Sequence, residues 1–239
     1  MMEFLIRFLL KPSNTCNLRD FHLFLRDSNL VLLTPKFIKM RRLFYALPLT
    51  QLCFSDYCFV DCLPPSITLQ SGSSCGSNTL TSLVISSNYA FTPRLVQMTM
   101  GILRHSPIKT LIIDMVSLNQ SQWLTLLGEL NMAFLKDIEL EGNIPRPALI
   151  RFLIKHKGLK NICIRGNMSS LDHVQPSQSW SQPFLPNLLT LCAPLAVCCD
   201  IAERVMNSSS LDDLEVEVSQ LHPHHDPSFL HLVEILQHF

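Results

Sequence analysis

The sequence predicts a curved α/β solenoid of about eight strand–helix repeats, with parallel strands on a concave face and helices and loops on a convex one. Three observations predict it. A frame with apolar residues at positions one, four and six and an Asn at nine recurs along the chain, most clearly as Leu80, Leu83, Ile85 and Asn88. The recurrences are evenly spaced. The stretches between them carry apolar residues at helical spacing, most of them behind a proline.

Residues 1–17 read as a partial N-terminal helix or cap: Met1 to Leu10 is apolar but holds Glu3 and Arg7, which suits a buried helix better than a secretory signal. The solenoid then spans 18–239, with repeat starts at 18, 49, 80, 108, 135, 159, 185 and 211. The intervals are therefore 31, 31, 28, 27, 24, 26 and 26 residues. The first two copies, Leu18, Phe21, Leu23 and Leu49, Leu52, Phe54, admit aromatics. The next are Ile108, Leu111, Ile113; Leu135, Ile138, Leu140 with Asn143; and Leu159, Ile162, Ile164 with Asn167. Leu185 with Leu188, then Leu211, Leu214, Val216, complete the series.

Helices fill the intervals. Thr34-Pro35 precedes Phe37, Ile38 and Leu43; Thr92-Pro93 precedes Leu95, Met98 and Ile102; Pro145 to Pro147 precede Leu149, Phe152 and Leu153. Pro194 precedes Leu195, Cys198 and Ile201, and Asp226-Pro227 precedes Phe229, Leu230, Val233 and Leu236. A proline suits a helix start because its missing N–H would be unpaired there anyway. Gln120 to Leu130 forms a further helix on Trp123, Leu124, Leu127 and Leu130, whereas 168–183, rich in Ser, Gln and Pro, reads as a loop.

A short strand followed by a helix, repeated in one direction, gives a parallel sheet in which each unit buries its face against its neighbours. Side chains alternate along a strand. Leu83 and Ile85, Leu111 and Ile113, Ile138 and Leu140, and Ile162 and Ile164 therefore point inward. The outward set is Ser82, Val84, Ser86; Thr110, Ile112, Asp114; Asp137, Glu139, Glu141; Asn161, Cys163, Arg165; and Asp213, Glu215, Glu217.

The frame at Leu80, Leu135 and Leu159 resembles leucine-rich-repeat proteins of the ribonuclease-inhibitor-like superfamily, over roughly residues 18–239. The phrase from Leu185 to Pro194 and the uneven repeat lengths resemble the leucine-rich tails of fungal F-box proteins. In that family the tail recruits a substrate, and an N-terminal F-box helix bundle binds the adaptor of a ubiquitin ligase. Residues 1–17 are too few for an F-box, so a ligase adaptor is expected as partner only where one lies upstream. Asn88, Asn143 and Asn167 match the family's turn asparagine, which bonds neighbouring backbone; Val116 and Tyr57 depart from it.

Composition excludes several classes. Of the 239 residues 47% are hydrophobic, enough for a continuous core, and 19 basic residues balance 19 acidic ones. No net field draws the chain to nucleic acid or an anionic membrane, and no apolar run reaches the roughly 18–20 residues of a spanning helix. Nine scattered cysteines suit reduced core thiols rather than a disulfide framework. The expected compartment is cytoplasmic or nuclear.

Recognition must then be local, and the outward strand residues locate it. Asp137, Glu139 and Glu141, with Asp114 on the adjacent strand, form a negative patch on strands about 4.8 Å apart, and Arg165, Asp213, Glu215 and Glu217 belong to the same outward, partner-binding face. A protein partner with a basic surface complements such a patch; a merely solvated strand face is the plainer reading.

The motifs that mimic chemistry lack its context. Gly72-Ser73-Ser74-Cys75-Gly76 matches a nucleophile elbow, but a strand rather than a helix follows it. His222, His224 and His225 beside Asp226 could ligate a metal, yet Asp226 already serves as the cap before Pro227. Cys53, Cys58 and Cys62 lack the paired spacing of zinc sites, and Cys198-Cys199 on one helix should not both face the core. Lys36, Lys39, Arg41 and Arg42 read as a solvated helix face. No metal or cofactor is expected.

The function this implies is a non-catalytic protein-interaction scaffold, with F-box-type substrate recognition as its specific form. A fragment without independent activity is an alternative, because both termini are apolar where solenoids carry polar caps. A Cys/Ser hydrolase is another; it would need Ser74 or Cys75 to meet His222–His225 from about five repeats away.

Overall fold

The computed structural model describes residues 19–25, 47–56, 77–92, 95–166, 184–205, 211–217, 230 and 232–234. The chain divides into two compact units, Met1–Ser117 and Leu118–Phe239.

In the first unit, β1 (Asp20–Leu25), β2 (Gln51–Asp56), β3 (Ser82–Ser86) and β4 (Thr110–Ile113) pair in chain order, all parallel. The register aligns like with like: Phe21, Leu52, Leu83 and Leu111 form one row, and Leu23, Phe54, Ile85 and Ile113 another. Every row member on β2, β3 and β4 is buried, because a two-residue period puts both rows on one face. Each step starts alike. The Arg19 carbonyl accepts from the N–H groups of Thr50 and Gln51, that of Thr50 from Thr81 and Ser82, and that of Thr81 from Lys109 and Thr110. A buried 3₁₀ turn, Asn88–Phe91, leads towards α1 (Val96–His105), whose Met98 and Ile102 are buried. The Thr99 hydroxyl fastens the two by donating to the Ala90 carbonyl at 2.8 Å.

The second unit contains α2 (Gln120–Glu129), β5 (Asp137–Glu141), α3 (Arg146–Lys155), β6 (Asn161–Arg165), β7 (Thr190–Pro194), α4 (Leu195–Val205) and β8 (Asp213–Glu217). Its four strands are again parallel and in chain order, with Ile138, Ile162, Leu191 and Leu214 in one row. The Lys136, Lys160 and Leu189 carbonyls repeat the double acceptance seen in the first unit. Asn119 and Gln122 close a reciprocal capping box on α2, while Pro145 caps α3 and Pro147 opens it. Fully buried Trp123 lies against Gly142, where an added Cβ would come within 3.3 Å of the indole nitrogen.

Two polar contacts hold the helical side of this unit. His156, at the end of α3, accepts the Met132 N–H through Nε2 at 2.9 Å and donates from Nδ1 to the Phe152 carbonyl at 2.7 Å. Arg146 of α3 grips Asp200 of α4 with Nε and Nη2, one on each carboxylate oxygen.

The alternation expected from the sequence holds: all eight residues assigned inward on β3 to β6 are buried. Five details differ. The seventh repeat begins at Leu188 rather than 185, because Leu191 pairs with Ile162 and the strand starts at Thr190. A turn in which the start residue's N–H reaches the third carbonyl before it precedes Leu80, Leu135, Leu159 and Leu188 alike. Leu185, at φ +48, is the turn residue itself. Leu124 is exposed, as α2 buries Gln122, Trp123, Leu126 and Leu127 instead. Cys198 and Cys199 are both buried, since α4 is enclosed along an unbroken arc from Val197 to Ala202 and two small side chains fit within it. Cys53 sits on the outward parity of β2 yet is buried. Among the described residues near the C-terminus Leu232 is buried, while Leu230 and Val233 are exposed.

The segment 1–17, the helix after Thr34-Pro35 and the loop 168–183 lie outside the described residues.

Candidate interaction face

Along β5, Ile138 and Leu140 turn into the core, so Asp137, Glu139 and Glu141 take the opposite face, each half-buried. The same parity brings out Asn161, Cys163 and Arg165 on β6, Thr190 and Cys192 on β7, and Asp213, Glu215 and Glu217 on β8. Register sorts them into rows across the sheet. The first is Asp137, Asn161, Thr190 and Asp213; the second is Glu139, Cys163, Cys192 and Glu215. The third pairs Glu141 with Arg165 and Pro194 with Glu217.

Hydrogen bonds order the first row. Thr190 Oγ1 donates to Asn161 Oδ1 at 2.8 Å, and Asn161 Nδ2 donates to Asp137 Oδ1. This orients the Asn161 amide and gives Asp137 a directed partner. In the other rows Arg165 reaches diagonally to Glu139, and the Gly166 N–H lies 3.4 Å from Glu217 Oε2. Charge on the Cys163 sulfur, then on the Glu139 carboxylate, holds the pKa of Arg165 above its ordinary value. Six carboxylates against one guanidinium leave these strand residues at a formal charge of −5. The structure thus brings together Asp137, Glu139, Glu141, Arg165, Asp213, Glu215 and Glu217, all of them expected from the sequence.

Asp114 belongs to the first unit. It follows β4 in the first unit, where the Ser86 hydroxyl donates to its carboxylate and its own N–H reaches the Ile85 carbonyl at 3.2 Å. Burial, with Asp114 adding to it, raises the Cys53 thiol. The outward residues Ser82, Val84, Ser86, Thr110 and Ile112 are half-buried and uncharged, so β3 and β4 lack the charge density of β5 and β8.

Asn88 is buried and its Oδ1 accepts the Ser117 N–H at 2.7 Å, binding a turn to backbone 29 residues on. Asn143 is exposed, and Asn167 lies outside the described residues. So do Lys36, Lys39, Arg41, Arg42, Tyr57, Cys58, Cys62, Ser74, Cys75, His222, His224, His225 and Asp226. Among the described residues no group of three or more His, Cys, Asp or Glu side chains is disposed to hold a metal ion. None of the described helices is long and apolar enough to cross a membrane.

Sequence reasoning missed Thr190 and Cys192. Counting from the corrected start at Leu188, they occupy the third and fifth positions, as Asn161 and Cys163 do from Leu159. The signal was present once the turn was placed.

Comparison of the chain with protein families, with curated proteins and with solved structures finds no match.

Proposed function

We propose that the protein is a non-catalytic protein-interaction scaffold, and that the outward strand face of its second unit receives a partner with a basic surface. The fold reading behind this is a leucine-rich-repeat solenoid, supported by the parallel register, the recurring double-acceptor carbonyls and the recurring turn. One observation carries the function: alternation and register collect six carboxylates around Arg165 on a face of short, rigidly paired strands. Fixed strands present charge with little conformational loss on binding, which favours complementary electrostatic recognition. Arg165 is itself occupied by Glu139, so an incoming cation meets carboxylates rather than a neutralised surface. Substrate recognition for a ubiquitin ligase is the specific form of this function suggested by the resemblance to F-box tails, with an adaptor partner dependent on an F-box upstream.

The test is affinity enrichment from cells with the unsubstituted chain, with Asp137→Lys/Glu139→Lys/Glu141→Lys, and with Asp213→Lys/Glu215→Lys/Glu217→Lys. Partners with basic surfaces should be retained by the first and lost from both variants, with circular dichroism unchanged. Recovery of the same partners by all three chains would remove this face from the account. Co-purification of a ligase adaptor would support the narrower reading.

A further inference from the structure

Cys163 of β6 and Cys192 of β7 are register partners in a parallel pair, at the centre of the acidic face. Both are free thiols and both are partly exposed. Neighbouring strands lie about 4.8 Å apart, inside the roughly 4.4–6.8 Å that a disulfide spans between Cα atoms. The paired positions of these strands are Asn161 with Thr190, Ile162 with Leu191 and Cys163 with Cys192, so the two cysteines close the ladder. Beyond them β6 runs on to Arg165 and β7 to Pro194, which has no N–H with which to extend the pairing. Past the cysteines β6 stays paired with β5 and β7 with β8, but no longer with each other, so the two Cβ atoms can approach from strand spacing to the roughly 3.8 Å that a disulfide prefers.

The two thiols are not equivalent. Burial raises both; at Cys163 the neighbouring Cys192 thiol and the Arg165 charge oppose the rise, while the Glu139 and Glu215 carboxylates add to it. Burial, then Cys163 itself and Glu215, push Cys192 up to about 12. Cys163 therefore ionises first while Cys192 keeps its proton. Among the described residues the other cysteines, Cys53, Cys198 and Cys199, are buried and do not share this access.

We infer that Cys163 and Cys192 form a reversible thiol–disulfide site on the strand face, with a small-molecule disulfide as oxidant. The Cys163 thiolate attacks one sulfur of that disulfide, forming a mixed disulfide and expelling one small thiolate, which takes up a proton. Cys192 then loses its proton, and its sulfur attacks Cys163 Sγ, breaking the mixed disulfide and expelling the second small thiolate. The balance is two protein thiols and one small disulfide giving one protein disulfide and two small thiols; two electrons pass to the oxidant. The site stands independently of whether the face binds a protein.

The experiment uses the full reduced chain, incubated at pH 8 with graded ratios of oxidised to reduced glutathione, then alkylated, digested and mapped by mass spectrometry. The expected product is a peptide pair joined through Cys163 and Cys192, lighter by two hydrogens and restored by dithiothreitol. Cys192→Ser should trap glutathione on Cys163 faster than Cys163→Ser traps it on Cys192, as thiolate availability dictates. Recovery of both cysteines alkylated at every ratio would overturn the inference. So would a glutathione adduct that persists on Cys163 in the unsubstituted chain, or equal trapping rates in the two variants.

Discussion

His156 is a position at which a single substitution strains the second unit. Its side chain is 3% accessible, its two ring nitrogens bond Met132 and Phe152, and its ring stacks on that of Phe152 with centroids 4.0 Å apart. Both bonds together require a neutral ring with its proton on Nδ1. His156→Ala leaves a buried N–H and a helix carbonyl without partners, at about 1–3 kcal/mol each, and removes the ring contacts; a total near 3–5 kcal/mol follows. Such a loss is a large part of the roughly 5–15 kcal/mol that holds a typical domain. Urea titration followed by tryptophan fluorescence should show a lower midpoint at unchanged slope. His156→Gln, which retains one acceptor and one donor, should recover about half of the loss. The effect depends on pH. Burial lowers the pKa of His156 below the ordinary 6.5, so as pH falls the unfolded chain takes up the proton before the folded one does. The contribution is complete above pH 6.5 and is lost progressively below it, as pH falls towards the folded value. A loss under about 0.5 kcal/mol in His156→Ala, with an unchanged acid profile, would refute the reasoning.

Gly166 stands at φ +107 with the Gly142 carbonyl oxygen 2.7 Å from any Cβ placed there, so Gly166→Ala should cost about 2–3 kcal/mol in a thermal or urea melt. Gly128 in α2 has open space around it, and Gly128→Ala should instead stabilise by about 0.5–1 kcal/mol in the same melt. Arg146→Ala strands the buried Asp200 carboxylate and should cost about 3 kcal/mol, whereas the double change Arg146→Met/Asp200→Leu should restore most of that stability in denaturant titration. Arg165→Ala breaks a solvent-exposed pair and should alter stability by less than about 1 kcal/mol, while tightening the binding of a basic peptide in calorimetry, since it removes the cation from the face.

What could be read in the sequence was what depends on parity. Ile138 against Glu139 and Ile162 against Cys163 are told apart by a two-residue period alone, and the structure keeps every such assignment on β3 to β6. Register is harder. Leu185, Leu188 and Leu191 are spaced by three, so a frame starting at 185 or at 188 places leucines at positions one and four equally well; only the turn at Leu185 decides. That three-residue shift hid the facing of Cys163 and Cys192 and the bond from Thr190 to Asn161. Helix faces misled for a different reason. Leu124 and Cys199 lie at the margins of apolar arcs, where the packing of neighbouring segments determines which side chains are covered, and helical spacing does not encode it. The Arg146 to Asp200 pair joins residues 54 apart and carries no local sequence signature.

The central claim is that a basic partner docks on the outward face of β5 to β8. Titrating the isotopically labelled chain with an oligo-lysine peptide, and following backbone amides by NMR, tests it directly. The account predicts saturable shifts confined to residues 137–141, 161–165, 190–194 and 213–217, abolished at high salt. Shifts centred on α2, α3 or α4, or none that saturate, would contradict it.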